Sequence, residues 1–227
     1  MSAVPSVKTQ FNVQHMVAAA IFARKVREIE ATHDHQKGLG SGEPYYAHRG
    51  YVTGAVLSAV ASLEATINEL FIDAQHKDPY TFEGADPEFA LLLAEVWEVI
   101  KRNPTLAKYQ IALTLARKPP FDKGASPYQE AVFLIQLRNA LVHYKPEWDT
   151  DQKLHKTIER RLKSRFEPNP FTIPTDAFFP KRCLGHGCAE WAVKSGEAFI
   201  NEFFDRLGLS TIFARDREGL QELLRTR

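Results

Sequence analysis

The sequence predicts an all-α fold, a helical bundle, on the basis of three observations. Apolar residues recur at spacings of three and four along most of the 227-residue chain, which is the period of an amphipathic helix. No segment shows sustained alternation of apolar and polar residues, so no half-buried β-strand is predicted. Glycine and proline clusters interrupt the helical pattern where loops are needed. The composition, 44% hydrophobic and 25% charged, is that of an ordinary globular chain, and a single domain over residues 1–227 is expected.

The individual helices follow from this periodicity and from its interruptions. Glycines in the stretch 38–44 predict a surface loop, and Asn103 is expected to cap a helix that has Pro104 in its first turn. Pro146 ends the most apolar helix. The predicted helices cover residues 9–36, about 51–75, two stretches between 86 and 116, 128 to about 144, about 153–165, about 189–207 and a short stretch after 210.

A proline-rich segment lies between the basic helix and the last long helix. Four prolines rule out continuous helix up to residue 182, but four phenylalanines in the same region indicate that it packs on the body. We expect an ordered strap that crosses the bundle. The core is therefore expected at about 9–148, and the basic helix, strap and C-terminal helices form an elaboration at about 149–227.

Charge and cysteine content limit the possible function classes. Lys plus Arg (29) nearly balance Asp plus Glu (28), so a global basic field is absent and any anionic partner must be held by a local patch. Two cysteines do not make a disulfide framework, and no signal-peptide pattern opens the chain, so a cytoplasmic location is expected. No uninterrupted apolar run approaches the ~18 residues of a membrane span, because even the stretch 54–63 is followed by Glu64.

One arginine stands on the apolar face of the most apolar helix. The residues three and four positions from Arg138 are all apolar: Leu134, Ile135, Leu141 and Val142. A guanidinium keeps its charge in proteins, so this position requires a carboxylate partner, a subunit interface or an anionic ligand. Glu64 is the candidate partner within the chain, because its own helical neighbours are apolar as well.

Asn139 and His143 share one flank of the same helix, since they are four residues apart. His143 follows Arg138 by five residues, a rotation of about 140°, and a long arginine side chain can still reach the imidazole. The last turn of a helix also favours a protonated ring. The alternative interpretation is a core helix in which the arginine forms a structural ion pair and the histidine caps the end.

The run 137–144, Leu-Arg-Asn-Ala-Leu-Val-His-Tyr, resembles the Arg, polar residue, three residues, His motif of the HEPN superfamily. These all-helical domains are named for higher eukaryotes and prokaryotes nucleotide-binding. The stretch 62–71, which contains Glu64, resembles the partner helix that carries an acidic or polar residue towards the site. The resemblance covers roughly residues 50–75 and 125–148, and the motif is short.

The resemblance implies a metal-independent endoribonuclease that acts as a symmetric homodimer without a cofactor. His143 would activate the ribose 2′-hydroxyl or protonate the leaving 5′-oxygen. Arg138 would stabilise the phosphoryl group, Asn139 would orient the imidazole or bind a phosphate oxygen, and Glu64 would anchor Arg138. The resemblance further suggests a toxin or defence effector with a protein or nucleotidyltransferase-type regulator. Because other members are inactive, a dimerisation or nucleotide-binding module is the alternative.

A basic cluster follows the motif and predicts an RNA-binding patch. Its five residues, spread over one short helical segment, are Lys153, Lys156, Arg160, Arg161 and Lys163. They could track an RNA backbone, which would make binding salt-dependent. The alternative is a solvated helix face of little energetic consequence.

A third class, a metal-dependent hydrolase, would use Cys183, His186 and Cys188. The Cys-x4-Cys spacing is not usual for zinc, and a fourth ligand is not identified, so no metal is expected. We expect both cysteines to be buried packing residues.

Overall fold

The computed structural model describes residues 9–78, 80–148, 153, 155–210 and 217–227. The predicted all-α class is confirmed, because the described residues form helices and loops and no β-strand. We number the α-helices in chain order and treat the π-helical turn Phe178–Arg182 separately. The helices are α1 Asn12–Thr32, α2 Glu43–Gln75, α3 Pro87–Ile100, α4 Thr105–Leu115, α5 Tyr128–Val142, α6 His155–Leu162, α7 His186–Leu207 and α8 Arg217–Leu223.

The three long helices α1, α2 and α7 pack on one another and form the centre of the core. Small side chains allow these helices to approach closely. A Cβ atom at Gly54 of α2 would lie 2.9 Å from the Cδ2 of Phe22, and one at Gly196 of α7 would lie 2.9 Å from the Cε of Met16. Both glycines therefore lie where α1 packs closely against α2 and α7.

The second helix begins earlier than the periodicity predicts. It starts at Glu43 and not near residue 51, so the last two residues of the predicted loop at 38–44 already belong to the helix. Pro44 fits in the first turn because that turn needs no backbone N–H from it. The first helix is shorter than the predicted range 9–36, since His33 at its C-cap has extended backbone.

The two short helices were predicted correctly, but one of their caps was not. Asp86 caps α3, accepting a hydrogen bond from the backbone N–H of Glu88 at 2.9 Å. The expected Asn103 cap is wrong, because Pro104 itself precedes α4 and no side chain caps that helix. Tyr109 anchors α4, since its ring is fully buried and its hydroxyl donates to the Leu63 carbonyl at 2.8 Å.

The proline-rich strap is ordered and packs on the bundle, as predicted. Phe178 and Phe179 are buried in its π-helical turn, and the turn contacts α6. A Cβ atom at Gly187 would lie 2.5 Å from the Glu167 carbonyl oxygen, so the strap backbone lies directly against the start of α7. The predicted buried residues of α7 are all buried: Trp191, Ala192, Phe199, Phe203 and Phe204.

Helix α2 is long and apolar enough to span a membrane by length and composition, in spite of Glu64. In its most apolar 18-residue stretch, 56% of the residues are buried inside the bundle. Burial by α1 and α7 is the arrangement expected of the core helix of a soluble protein.

Candidate functional site

Helix α5 carries the candidate motif and is buried along one face only. The buried positions, each three residues after the last, are Tyr128, Ala131, Leu134 and Leu137. They pack against α2 and α7. Arg138 comes one residue after this row, and the remaining motif residues point further outward.

Arg138 is half-buried, and its Nε atom is inaccessible to solvent. This Nε has no hydrogen-bond partner among the residues that the structure describes. Leaving a buried donor of a charged group unsatisfied costs about 1–3 kcal/mol or more. The position therefore favours a compensating acceptor from outside the described chain, either an anionic ligand or a second subunit.

The predicted pairing of Arg138 with Glu64 does not form in the described structure. Glu64 is exposed, and it lies near Lys108 of α4. Burial lowers the pKa of Lys108, and the charge of Glu64 partly opposes this effect. The ammonium of Lys108 donates to the side-chain oxygen of Asn68 at 2.8 Å. Glu64 is thus close to α4, and it is not among the buried residues of α2.

Asn139 and His143 are both exposed at the end of α5. His143 is the C-cap residue, and its backbone N–H donates to the Asn139 carbonyl at 2.9 Å. Along the helix axis it lies about 7.5 Å beyond Arg138, at a rise of about 1.5 Å per residue. Neither side chain forms a hydrogen bond that orients it among the described residues. The three motif residues therefore line one open end of α5.

The outer face of α5 is apolar as well as open. Val132 and Ile135 are half-buried, and Val142 is 52% exposed. Positions 135, 138 and 142 are neighbours on a helix, so Arg138 lies between two apolar residues on this face. An exposed apolar strip beside polar groups is typical of an interaction surface.

The basic helix α6 lies beside α5, so the structure brings the predicted RNA-binding residues close to the motif helix. Four of the five residues line a surface groove of about 510 Å³ together with Glu159. These four, all exposed, are Lys153, Lys156, Arg160 and Lys163. The groove thus combines four cations with one carboxylate.

Arg161 points away from this groove and towards α5. Its guanidinium donates to the side-chain oxygen of Gln136 and lies 5.7 Å from the centre of the Phe133 ring. Arg165 lies 4.6 Å from the same ring and forms an ion pair with Glu130. These contacts fasten α6 to the motif helix, and Arg161, one of the five predicted RNA-binding residues, takes part in them.

His155 is a buried residue that the sequence analysis did not single out. Its Nε2 lies 3.1 Å from the Lys145 carbonyl oxygen, and its backbone N–H donates to the Glu147 carboxylate at 3.1 Å. Its ring stacks on Tyr144 with centroids 5.5 Å apart. His155 therefore holds the segment that directly follows His143. The signal in the sequence was the spacing of His155, Ile158 and Leu162, which are the buried residues of α6.

The cysteine and histidine cluster is a packing feature. Cys183 and Cys188 are both free and fully buried, as expected. Burial raises the pKa of the Cys183 thiol, and the neighbouring Cys188 raises it further. His186 directs its Nε2 to the Thr226 carbonyl oxygen at 3.0 Å. Within the described ranges no group of three or more potential metal ligands occurs.

A cleft of about 810 Å³ lies between the strap and the start of α7. Three of its charged groups pair with one another: Glu190 lies 2.8 Å from Arg227 and 2.7 Å from Lys194. Burial alone raises the pKa of Glu190, but hydrogen bonds from Arg227 and Lys194 outweigh it and lower this pKa to about 2. The cleft is therefore held together by internal ion pairs.

Comparison with family models, with curated proteins and with solved structures finds no match for this chain.

Proposed function

We propose that this protein is a metal-independent endoribonuclease of the HEPN type, which needs no cofactor and cleaves RNA in the cleft of a homodimer. The observation that supports this most is Arg138, whose buried Nε has no partner among the described residues. An RNA phosphate or the second subunit would supply the missing acceptor. The exposed His143 and Asn139 stand at the same end of the helix.

The chemistry requires one base, one acid and one stabilising cation. His143 removes the proton from the ribose 2′-hydroxyl, and the 2′-oxygen attacks the adjacent phosphorus. The bond to the 5′-oxygen breaks, and this oxygen takes a proton from the partner's His143. Arg138 stabilises the charge that develops on the phosphoryl oxygens, and Asn139 binds a phosphate oxygen or orients the ring. The products are a 2′,3′-cyclic phosphate and a free 5′-hydroxyl.

The cellular setting is part of the same proposal. We place the protein in the cytoplasm as a toxin or defence effector, kept inactive by a protein regulator, for which a nucleotidyltransferase-type partner is the candidate. Glu64, the predicted anchor of Arg138, lies near Lys108 in the described structure.

One observation favours a second candidate, an inactive HEPN-like dimerisation or nucleotide-binding module. Catalytic histidines are commonly oriented by a hydrogen-bond partner. The His143 side chain has no such partner among the described residues. The two candidates differ in whether the wild-type protein cleaves RNA at all.

The test compares cleavage of labelled single-stranded RNA by the wild type, His143→Ala, Arg138→Met and His76→Ala. His76 is the matched control, because it is also an exposed histidine at a helix C-cap, that of α2. We expect His143→Ala and Arg138→Met to reduce the cleavage rate at least ~100-fold, the usual range for general acid–base groups, and His76→Ala to leave it unchanged. Wild-type products should end in a 2′,3′-cyclic phosphate, EDTA should have no effect, and DNA should resist.

Cleavage that survives His143→Ala, or that EDTA stops, would contradict the assignment. If the wild type cleaves no RNA while forming a dimer, the inactive module is the correct alternative. Arg138→Met also separates chemistry from folding, since it removes an unsatisfied buried donor and should not lower the free energy of unfolding.

A further inference from the structure

Trp148 is 84% exposed, which is the largest exposed fraction among the large apolar side chains that the structure describes. Tryptophan offers the largest apolar surface of any residue, and it is usually covered in folded proteins. An indole held in water at this position is available to a partner.

The backbone directly before Trp148 is held in place by side-chain contacts, so the exposed Trp148 side chain extends from a fixed segment. The Glu147 carboxylate accepts the His155 backbone N–H at 3.1 Å and lies 3.5 Å from the His155 Nδ1. Both side chains of this pair are nearly buried, at 12% and 7% exposed. Tyr144 stacks on the His155 ring, which anchors the same segment from its other end.

These contacts place the backbone of Trp148 next to the first turn of α6, the helix that carries Lys156 and Arg160 of the basic groove. The groove of about 510 Å³ is lined by Lys153, Lys156, Glu159, Arg160 and Lys163. On its other side the segment joins His143, five residues before Trp148, so the two residues are at most about 18 Å apart in a fully extended chain. An exposed aromatic residue therefore stands in the chain between the motif and the helix that carries the basic groove.

We propose that Trp148 and this groove form a binding site for single-stranded RNA. A base stacks on the indole, and the phosphates that follow it lie along Lys156, Arg160 and Lys163. Stacking on aromatic side chains combined with a basic groove is the arrangement that binds single strands in general, because every base has a π face. The inference rests on the proposed function, since it specifies how the substrate reaches His143.

A single strand fits this site and a duplex does not. Bases in a duplex are stacked on their neighbours, so their faces are not free to cover an indole. The phosphates of a duplex could still contact the lysines, but such binding would not depend on Trp148. The contribution of Trp148 should therefore differ between the two forms of RNA.

The experiment measures binding and not cleavage, in the His143→Ala background. The probe is a labelled single-stranded RNA about 12 nucleotides long, within the usual range of site sizes, and its duplex form is the comparison. We expect Trp148→Ala to weaken single-strand binding between about 5-fold and 150-fold, the range for one stacked base. Trp148→Phe should restore most of it. Tyr80→Ala is the matched control, because Tyr80 is also a largely exposed aromatic residue, 72% exposed, and lies beyond the C-terminal end of α2.

A second readout is the intrinsic fluorescence of the three tryptophans. Single-stranded RNA should quench it, and Trp148→Phe should abolish the quenching while retaining most of the affinity. Far-UV circular dichroism checks that the variants are folded, and sedimentation checks their oligomeric state.

Unchanged affinity in Trp148→Ala would overturn the inference, and so would equal weakening for single-stranded and duplex RNA. A change in oligomeric state would assign Trp148 to a subunit interface. Failure of the proposed function is recognised separately: if the wild type cleaves no RNA but Trp148 still governs single-strand binding, the RNA site stands and the nuclease assignment falls.

Discussion

At the scale of single residues, two carboxylates with little exposure join parts of the chain that are distant in sequence. Glu30 is one of them: its Oε1 accepts the Nε2 of His48 at 2.8 Å and the backbone N–H of His186 at 2.7 Å. It joins α1, α2 and α7. Glu190 is another, with Arg227 and Lys194 as its partners. Such ion pairs contribute to stability as long as the carboxylate is ionised.

Glu190→Gln should lower the free energy of unfolding at pH 7 by about 1–2 kcal/mol. The pKa of Glu190 is about 2 in the folded chain and about 4.3 in an unfolded one, so folding favours the ionised form. The pKa difference overstates the effect on stability, because Arg227 and Lys194 are about two-thirds exposed and water screens their charges. The stability advantage of the wild type should be complete above pH ~5 and disappear as the pH falls towards ~2. Urea denaturation across this pH range measures it.

Glu202→Gln is the control for this variant, because it removes an i,i+4 pair with Arg206 on the same helix. Its effect at pH 7 should stay below about 0.5 kcal/mol. A difference between wild type and Glu190→Gln that is constant from pH 7 to pH 2.5 would show that the carboxylate charge is not responsible.

At the scale of elements, α6 is divided into a side that docks and a side that remains free. Arg161 docks, since it donates to Gln136 and lies over Phe133 of α5. Arg160, the residue directly before it in the sequence, is exposed on the groove side. One helix therefore couples the motif helix to the basic groove.

Arg160→Ala and Arg161→Ala should affect different properties, RNA binding in the first variant and stability in the second. Arg161→Ala should lower the free energy of unfolding by about 1 kcal/mol, through loss of a hydrogen bond and a cation–π contact, and speed amide exchange in 155–162. Arg160→Ala should leave stability unchanged and reduce the slope of log K against log salt for RNA binding by about 1. Hydrogen exchange and a salt series measure the two effects.

If the two variants behave alike in both assays, α6 does not have separate docking and binding sides. If neither Arg160→Ala nor Lys156→Ala changes the salt slope, the groove is a solvated surface that does not bind RNA.

At the scale of the whole molecule, one chain leaves the outer face of α5 open. Ile135, Arg138 and Val142 lie in one row on this face, and Val142 is 52% exposed. The buried face of α5 packs against α2 and α7, and α6 contacts this helix as well. A two-fold axis along this face would bring two copies of the motif together and cover both apolar strips.

Val142→Glu should therefore convert a homodimer into a monomer and abolish cleavage without unfolding the chain. The added carboxylate would be buried against its symmetry mate, which costs several kcal/mol. Val99→Glu is the matched control, because Val99 on α3 is 81% exposed and should leave the dimer intact. Sedimentation at micromolar concentration measures the outcome. A monomeric wild type, or dissociation by both variants alike, would contradict the shared cleft.

The helical class, the order of the helices and most of the core were determined by the sequence itself. Hydrophobic periodicity reports which face of each helix is buried, and prolines and glycines report where helices stop. For this reason the spacing in α7 assigns Trp191, Phe199 and Phe203 to the interior. It also identifies Arg138 as a charged residue on the apolar face of its helix. These properties are local, since they depend on residues within a few positions of one another.

Tertiary structure alone decided which charged groups meet. Periodicity places Arg138 and Glu64 each near an apolar face, but it does not say which neighbouring helix that face meets. In the folded chain Glu64 lies near Lys108 of α4, and Arg161 donates to Gln136 of α5. The partner of a long side chain depends on how helices distant in sequence pack and rotate against one another. Local spacing carries no information about that rotation, and for the same reason the pairing of Glu147 with His155, and with it the placement of Trp148, appeared only in the folded structure.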